Sequence, residues 1–213
     1  MFNVMLDDLP TEYEGFPICT DFDIGIQIMQ ALENGELTQG EQVATALSLL
    51  FLLEDEDGNP LPFPDVQTAV NGLMWFLTDW NHDNNKSEDK TKVTDWDIDQ
   101  WRIYAGFKQH YGINLQTDSL HFWEFMGLLT NLPECAYTRV VDIRAKKLTN
   151  KMSKEEKNMY MRLKEVYALK QSKAVEYTDE QKQVIDDFDR MIEEQKRIRE
   201  SKKLAQKEFE DML

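Results

Sequence analysis

The sequence predicts an all-α protein, a compact helical domain with a C-terminal amphipathic helical extension. Apolar residues recur at spacings of three and four through most of the chain, which is the period of one helix face. Capping-box pairs, Thr38 with Glu41 and Ser153 with Glu156, stand at the start of two of these runs. Alternating β-branched runs are few, and no hairpin dipeptides stand between apolar stretches, so an all-α fold is expected.

Charge and tryptophan content divide the chain into two parts. Residues 1–138 contain 24 acidic and 5 basic residues, whereas residues 139–213 contain 16 acidic and 19 basic residues. All five tryptophans lie in the first part. We therefore expect an N-terminal arm over residues 1–17, an acidic helical body over residues 18–170 and a charged helical extension over residues 171–213.

Seven helices are expected in the body. Their predicted bounds are 20–33, 38–53, 64–77, 95–111, 118–131, 137–147 and 153–169. Thr20, with Asp23 in the first turn, is the expected N-cap of the first helix, and Gly112 is the expected C-cap of the fourth. The fourth and fifth helices are apolar over most of their circumference and should form the hydrophobic centre. The side chains expected to be buried there are Trp101, Tyr104, Phe107, Trp123 and Met126, and Gly127 should let another helix approach closely.

Composition excludes several classes of protein. The net charge of −16 excludes a general nucleic-acid binder, because such proteins need clustered Lys and Arg to displace counterions from phosphate. The longest apolar run, residues 46–53, is far shorter than the ~20 residues that span a bilayer. Neither nucleic acid nor a membrane is therefore an expected partner. Two cysteines, Cys19 and Cys135, in a chain of 213 residues indicate a reducing, cytosolic environment.

Four carboxylates and one histidine are the candidates for metal chemistry. Asp95, Asp97 and Asp99 with Glu124 would be the metal ligands of an all-α metal-dependent hydrolase. Residues two apart point to different sides of a helix, however, so we favour an acidic helix start stabilised by the helix dipole. His121 lies three residues before Glu124, on the same helix face, and we favour a packed or surface histidine over a ligand.

The segment of residues 79–90 superficially resembles a calcium-binding loop. Its sixth position is Asn84 where glycine is needed, and its twelfth is Lys90 where a bidentate glutamate must lie. We therefore reject a calcium site. The chain also lacks a phosphate-binding Gly-rich loop, a nucleophile elbow and a Cys-x-x-Cys pair. These observations predict a protein that is not an enzyme and needs no cofactor.

The C-terminal extension carries a seam of residues at spacings of four and three. Its members are Val184, Phe188, Met191, Gln195, Ile198, Lys202, Ala205, Phe209 and Met212. The seam is a heptad register with two polar positions. Two interpretations remain open. Either this helix packs on its own domain or loosely against solvent, or it pairs with a partner helix.

Residues from about 95 to 170 resemble a family of small phage proteins. The segments that carry the resemblance are Ile103-Tyr104-Ala105 with Phe107, Tyr111-Gly112-Ile113-Asn114-Leu115, Leu120-His121-Phe122-Trp123-Glu124-Phe125, Leu132-Pro133-Glu134, Arg144, Met152-Ser153-Lys154-Glu155-Glu156 and Tyr167-Ala168-Leu169. This pattern is similar to that of the "gp fifteen" proteins of siphophages that infect Gram-positive bacteria. In those genomes the gene lies between the major tail protein and the tape measure protein, and this position implies a tail assembly chaperone.

The resemblance implies a non-enzymatic protein that binds the tape measure protein, keeps it soluble and recruits major tail protein during tube growth. The expected contacts are Phe188, Met191, Ile198 and Phe209 of the extension, together with exposed apolar residues of the body. Self-association is a further expectation. The expected location is the cytoplasm of the infected bacterial host, with the protein absent from the mature virion. The alternative is a structural tail or connector protein that stays in the particle.

Overall fold

The computed structural model describes residues 2–55, 57–81 and 92–169. In this part of the chain seven helices and one two-stranded hairpin are found, so the mostly helical fold predicted from the sequence is confirmed. The elements are β1 (Glu12–Tyr13), β2 (Phe16–Pro17), α1 (Phe22–Glu33), α2 (Gln39–Leu50), α3 (Val66–Thr78), α4 (Trp96–His110), α5 (Phe122–Thr130), α6 (Ala136–Ala145) and α7 (Lys154–Val166). The predicted extension over 171–213 lies outside the described residues.

Polar side chains fix the starts of several helices. Thr38 accepts a hydrogen bond from the Glu41 amide at 3.3 Å, and the Glu41 carboxylate accepts one from the Thr38 amide at 2.8 Å. This is the capping box that the sequence predicts. Ser153 likewise accepts from the amide of Glu156 at 3.1 Å.

The predicted Thr20 cap of α1 is wrong. Asp21 occupies the N-cap position and makes no side-chain cap bond. Its carboxylate accepts a hydrogen bond from the Ser119 hydroxyl at 3.1 Å instead, and its backbone pairs with His121 in an isolated antiparallel bridge. The start of α1 is thus tied to the start of α5.

The N-terminal segment contacts the helices. Glu14 and Gly15, both with positive φ, form the turn between β1 and β2. Tyr13 lies 5.0 Å from Trp75 of α3, measured between ring centroids, and Phe2 packs edge-on against Trp123 of α5 at the same distance.

Helix α5 joins two hydrophobic clusters. The first lies between α1, α2, α3 and α5, and its buried members are Ile18, Ile28, Ala46, Leu50, Phe51, Ala69, Leu73, Phe76, Phe122 and Trp123. The second lies mainly between α4, α5 and α6, and its buried members are Ile103, Phe107, Leu120, Phe125, Leu129, Leu132, Cys135 and Tyr137. Phe122 stacks on Phe76 in the first cluster at 4.8 Å, and Phe125 stacks on Phe107 in the second at 5.1 Å. The predicted central position of α5 is confirmed.

The buried face of α4 differs from the prediction. Phe107 is buried as expected, but Tyr104 is only partly buried and Trp101 is 68% exposed. The buried stripe runs through Asp99, Ile103 and Phe107 at spacings of four. Trp101 lies two residues from Asp99, about 200° around the helix, and therefore faces the opposite side. In α5, Trp123 is buried as predicted, whereas Met126 is only partly buried.

Close approach occurs at Gly25 and not at Gly127. A Cβ added at Gly25 would lie 2.1 Å from Cδ2 of Phe122, whereas one added at Gly127 would meet nothing within 4 Å. The expectation for Gly127 is wrong, because no other described element approaches within 4 Å of the position of its missing Cβ.

Candidate protein-interaction surface

An apolar groove opens on the surface between α1, α4, α5 and the loop after α4. Its volume is about 210 Å³, and it is lined by Phe22, Ile26, Trp96, Gln100, Trp101, Ile103, Tyr104, Leu115, Gln116 and Phe125. We call it the aromatic groove. The sequence predicts that exposed apolar residues of the body contribute to an interaction surface, but it does not identify them. The groove contains residues of this kind, and its role as an interaction surface stays a prediction.

Trp101 is the most exposed apolar residue that lines the groove. Its side chain is 68% exposed, and the only ring it packs against among the described residues is that of Tyr104, edge-on at 5.8 Å. Ile98, one helical turn before, is 40% exposed. Burying a large apolar side chain contributes about 1.5–3 kcal/mol, and tryptophan is enriched among the residues that dominate binding energy at interfaces. An exposed tryptophan beside an aromatic groove is therefore typical of a docking surface.

Hydrogen bonds hold the loop wall of the groove in place. The Tyr104 hydroxyl donates to the side-chain Oδ1 of Asn114 at 3.2 Å. The backbone N–H of Asn114 donates to the Asp118 carboxylate at 2.9 Å. The hydrogen bond from the backbone N–H of Asn114 lowers the pKa of Asp118, so this carboxylate is charged at neutral pH. These bonds tie the loop to α4 and stabilise its turn.

A larger polar cleft adjoins the aromatic groove, and Trp96 lines both. The cleft has a volume of about 1040 Å³, and both acidic and basic side chains line it. Lys92 pairs with Glu33 across it at 2.7 Å. Burial alone would lower the pKa of Lys92, but the hydrogen bond and charge of Glu33 raise it. Leu169, the last described residue, also lines the cleft.

A buried ion pair lies behind the cleft. Asp99 of α4 is fully buried and pairs with the Arg144 guanidinium of α6, which also donates to the carbonyl oxygens of Val93 and Tyr167 at 2.8 and 2.7 Å. Arg102 binds the same carboxylate at 2.8 Å from a position that is 31% exposed. Arg144 thereby joins α4, α6 and the residue that follows α7.

The sequence reasoning did not assign this role to Arg144. A signal for it exists in the helical spacing of α6, because Tyr137, Val140 and Arg144 follow one another at intervals of three and four, and all three are buried. A charged residue on a buried stripe needs a partner of opposite charge. Only the fold shows that this partner is Asp99.

The structure gives each of the four predicted metal candidates a different position. Asp95 caps α4 by accepting hydrogen bonds from the backbone amides of Asp97 and Ile98. Burial raises the pKa of its carboxyl group, but these bonds and the charge of Lys92 outweigh that effect, so the pKa is lowered. The Asp97 carboxylate accepts from Gln30, Asp99 is in the ion pair, and Glu124 is exposed on α5. Among the described residues, no three His, Cys, Asp or Glu side chains are arranged to hold a metal ion. Most of the rejected calcium loop lies outside the described residues.

His121 caps helix α5. Its Nδ1 accepts a hydrogen bond from the Trp123 amide at 3.0 Å, and its Nε2 lies 2.9 Å from the carbonyl oxygen of Pro10. Both bonds form together only in a neutral ring whose proton is on Nε2. Burial lowers the pKa of His121, which favours this neutral form. The cap at residue 121 also explains why α5 begins later than the predicted residue 118.

The four partner-binding residues named from the sequence, Phe188, Met191, Ile198 and Phe209, lie outside the described residues. In the part that the structure describes, no helix is both long and apolar enough to cross a membrane.

These features define a mostly helical protein whose described surface carries an exposed aromatic groove. The model of the family described as Bacteriophage Gp15 protein matches residues 5–169, and because this match covers most of the chain, the chain belongs to that family. It is therefore a bacteriophage structural or assembly protein, of a family that is not known as enzymatic. Comparisons with curated proteins and with solved structures give no match.

Proposed function

We propose that the protein is a tail assembly chaperone that binds the tape measure protein, keeps it soluble and promotes recruitment of major tail protein. The observation that carries the proposal is the aromatic groove with its exposed Trp101, on the body of a protein of this phage family. A long helical client presents apolar residues at intervals of three, four and seven, and a groove on a helical surface binds such residues.

The charge of the body fits a chaperone that coats an aggregation-prone chain. Residues 1–138 have a net charge of −19. A high net charge of one sign keeps a protein soluble and makes its complexes repel one another. The aromatic groove would supply affinity for the client, while the acidic surface keeps the coated client dispersed.

The apolar seam of the extension, with Phe188, Met191, Ile198 and Phe209, would provide a second contact with the tape measure protein. Its polar positions, Gln195 and Lys202, weaken pairing and favour release as the tube grows. On this proposal the protein acts in the host cytoplasm and leaves the tail before the virion is complete.

Co-expression with the tape measure protein of the same phage tests the proposal. We expect the wild-type chain to raise the soluble fraction of the tape measure protein, and Trp101→Ala to lose most of that effect. Phe63→Ala is the matched control, because Phe63 is 45% exposed but does not line the aromatic groove. Equal loss with both variants, or no solubilisation by the wild type, would contradict the proposal.

Purified virions separate this function from its alternative. A structural tail or connector protein stays in the particle, whereas an assembly chaperone does not. Mass spectrometry of virions should therefore find the tape measure protein and not this chain. Stoichiometric amounts of the chain in the particle would favour the structural role.

A further inference from the structure

The described chain ends at the polar cleft, which shares Trp96 with the aromatic groove. The guanidinium of Arg102, which binds Asp99, lies 5.7 Å from the ring centroid of Tyr167. Leu169 lines the polar cleft together with Trp96, and Trp96 also lines the groove. Residues 170–213 therefore continue from the polar cleft that adjoins the aromatic groove.

We infer that, in the protein free of partners, the chain's own residues 196–209 occupy the aromatic groove. These residues carry the seam positions Ile198, Ala205 and Phe209 and a cluster of basic side chains. The groove and this segment would then cover each other's apolar surface until a client displaces them. Only that last step, displacement by the client, rests on the proposed function.

Charge complementarity favours this segment over other parts of the extension. Residues 196–209 contain six basic and two acidic residues. Three exposed aspartates lie within two residues of side chains that line the groove: Asp23 after Phe22, Asp97 after Trp96 and Asp118 after Gln116. Lys or Arg side chains beside the seam would meet these carboxylates while the apolar seam residues enter the groove.

The length of chain allows the contact. Residues 170–195 form a connection of 26 residues. Even at the helical rise of 1.5 Å per residue, this connection spans about 39 Å. A tethered segment has an effective concentration in the millimolar range, well above the micromolar concentrations at which separate copies meet. Docking within one chain is therefore favoured over exchange between copies.

Photo-crosslinking in the full chain tests the inference. Gln116 lines the groove with an exposed side chain, and it is replaced by the photoreactive residue p-benzoylphenylalanine. Ser48→p-benzoylphenylalanine is the control, because Ser48 is exposed on α2, an element that does not line the groove. Mixing unlabelled and ¹⁵N-labelled protein before irradiation distinguishes cross-links within one chain from cross-links between copies.

We expect the Gln116 probe to cross-link to residues 196–209 of its own chain, at least fivefold above the Ser48 probe. Lys203→Glu with Lys207→Glu should reduce this yield several-fold, whereas Lys182→Glu, outside the segment, should not. Cross-links mainly between copies, or a yield no higher than from Ser48, would overturn the inference.

Adding an excess of the tape measure protein separates the inference from the proposed function. If both bind the groove, the intrachain cross-link decreases as the client binds. An intrachain cross-link that persists with bound client would leave the docked segment established and contradict the groove as the client site. Absence of the cross-link in the free protein would overturn the inference whatever the client does.

Discussion

Arg144→Met should destabilise the body more than any loss of surface charge. The Arg144 guanidinium binds the fully buried carboxylate of Asp99 and the carbonyl oxygens of Val93 and Tyr167. Methionine retains much of the apolar length of the side chain but makes none of these bonds. The change therefore leaves a buried carboxylate with one cation fewer and two carbonyl groups without this donor.

The expected loss in the free energy of unfolding follows from the burial of the Asp99–Arg144 pair. Removing one partner of a buried ion pair costs about 3–5 kcal/mol, because the remaining charge is uncompensated. Arg102 still binds Asp99 at 2.8 Å, so the lower end, about 3 kcal/mol, is expected. For a domain of this size, that corresponds to a fall in Tm of roughly 6–12 °C. It is also a large share of the ~5–15 kcal/mol by which a typical domain is stable.

Arg102→Met is the matched control, because Arg102 binds the same carboxylate from a partly exposed position. Its cost should be about 1 kcal/mol or less, as for ion pairs near the surface. Urea unfolding of the full-length variants, followed by circular dichroism, measures both costs. A cost below ~1 kcal/mol for Arg144→Met, or equal costs for the two variants, would refute the structural role of the buried pair. Asp99→Asn combined with Arg144→Met should recover part of the loss, since it removes the unpaired charge.

Three further variants test the helix cap, the helix contact and the groove. His121 caps α5 only when its ring is neutral, and burial lowers its pKa. The cap contributes ~1 kcal/mol to the free energy of unfolding, and this contribution is lost as the pH falls below ~6.5 and through the lowered pKa. His121→Asn caps the helix without titrating, so it should remove this part of the pH dependence of urea unfolding. Gly25→Ala should destabilise the body by about 1–3 kcal/mol, because the added methyl group clashes with Phe122. Gly127→Ala, the control, should be neutral or stabilising. Similar thermal melting curves for the two variants would contradict the close contact at Gly25. Trp101→Ala should change the free energy of unfolding by less than ~1 kcal/mol, and a larger loss in thermal melts would place Trp101 in the core.

The helices could be predicted because their signals are local. Capping residues such as Thr38 and Ser153 act within one turn, and the seven predicted helices of the body occur near their predicted positions. The short hairpin could not be predicted, because its turn at Glu14 and Gly15 is not one of the common hairpin dipeptides. Its strands are formed by only two residues each, which is too short for an alternating pattern.

The candidate surface could not be located from the sequence. Helix α4 is apolar over most of its circumference, so periodicity cannot choose between the face of Ile103 and that of Trp101. The choice depends on where α5 and α6 pack, and on the pairing of Asp99 with a residue 45 positions away. The sequence indicated exposed apolar residues, and Arg144 belongs to the family pattern, but the groove and the ion pair are properties of the fold.

Affinity for the tape measure protein tests the central claim most directly. Full-length wild-type, Trp101→Ala and Phe63→Ala chains would be titrated with a soluble helical fragment of the tape measure protein, and the Kd of each measured by calorimetry. Loss of a central tryptophan from an interface typically costs 2 kcal/mol or more, so Trp101→Ala should raise Kd by about 30-fold while Phe63→Ala leaves it within about twofold. An unchanged Kd for Trp101→Ala, or no binding by the wild type, would contradict the account.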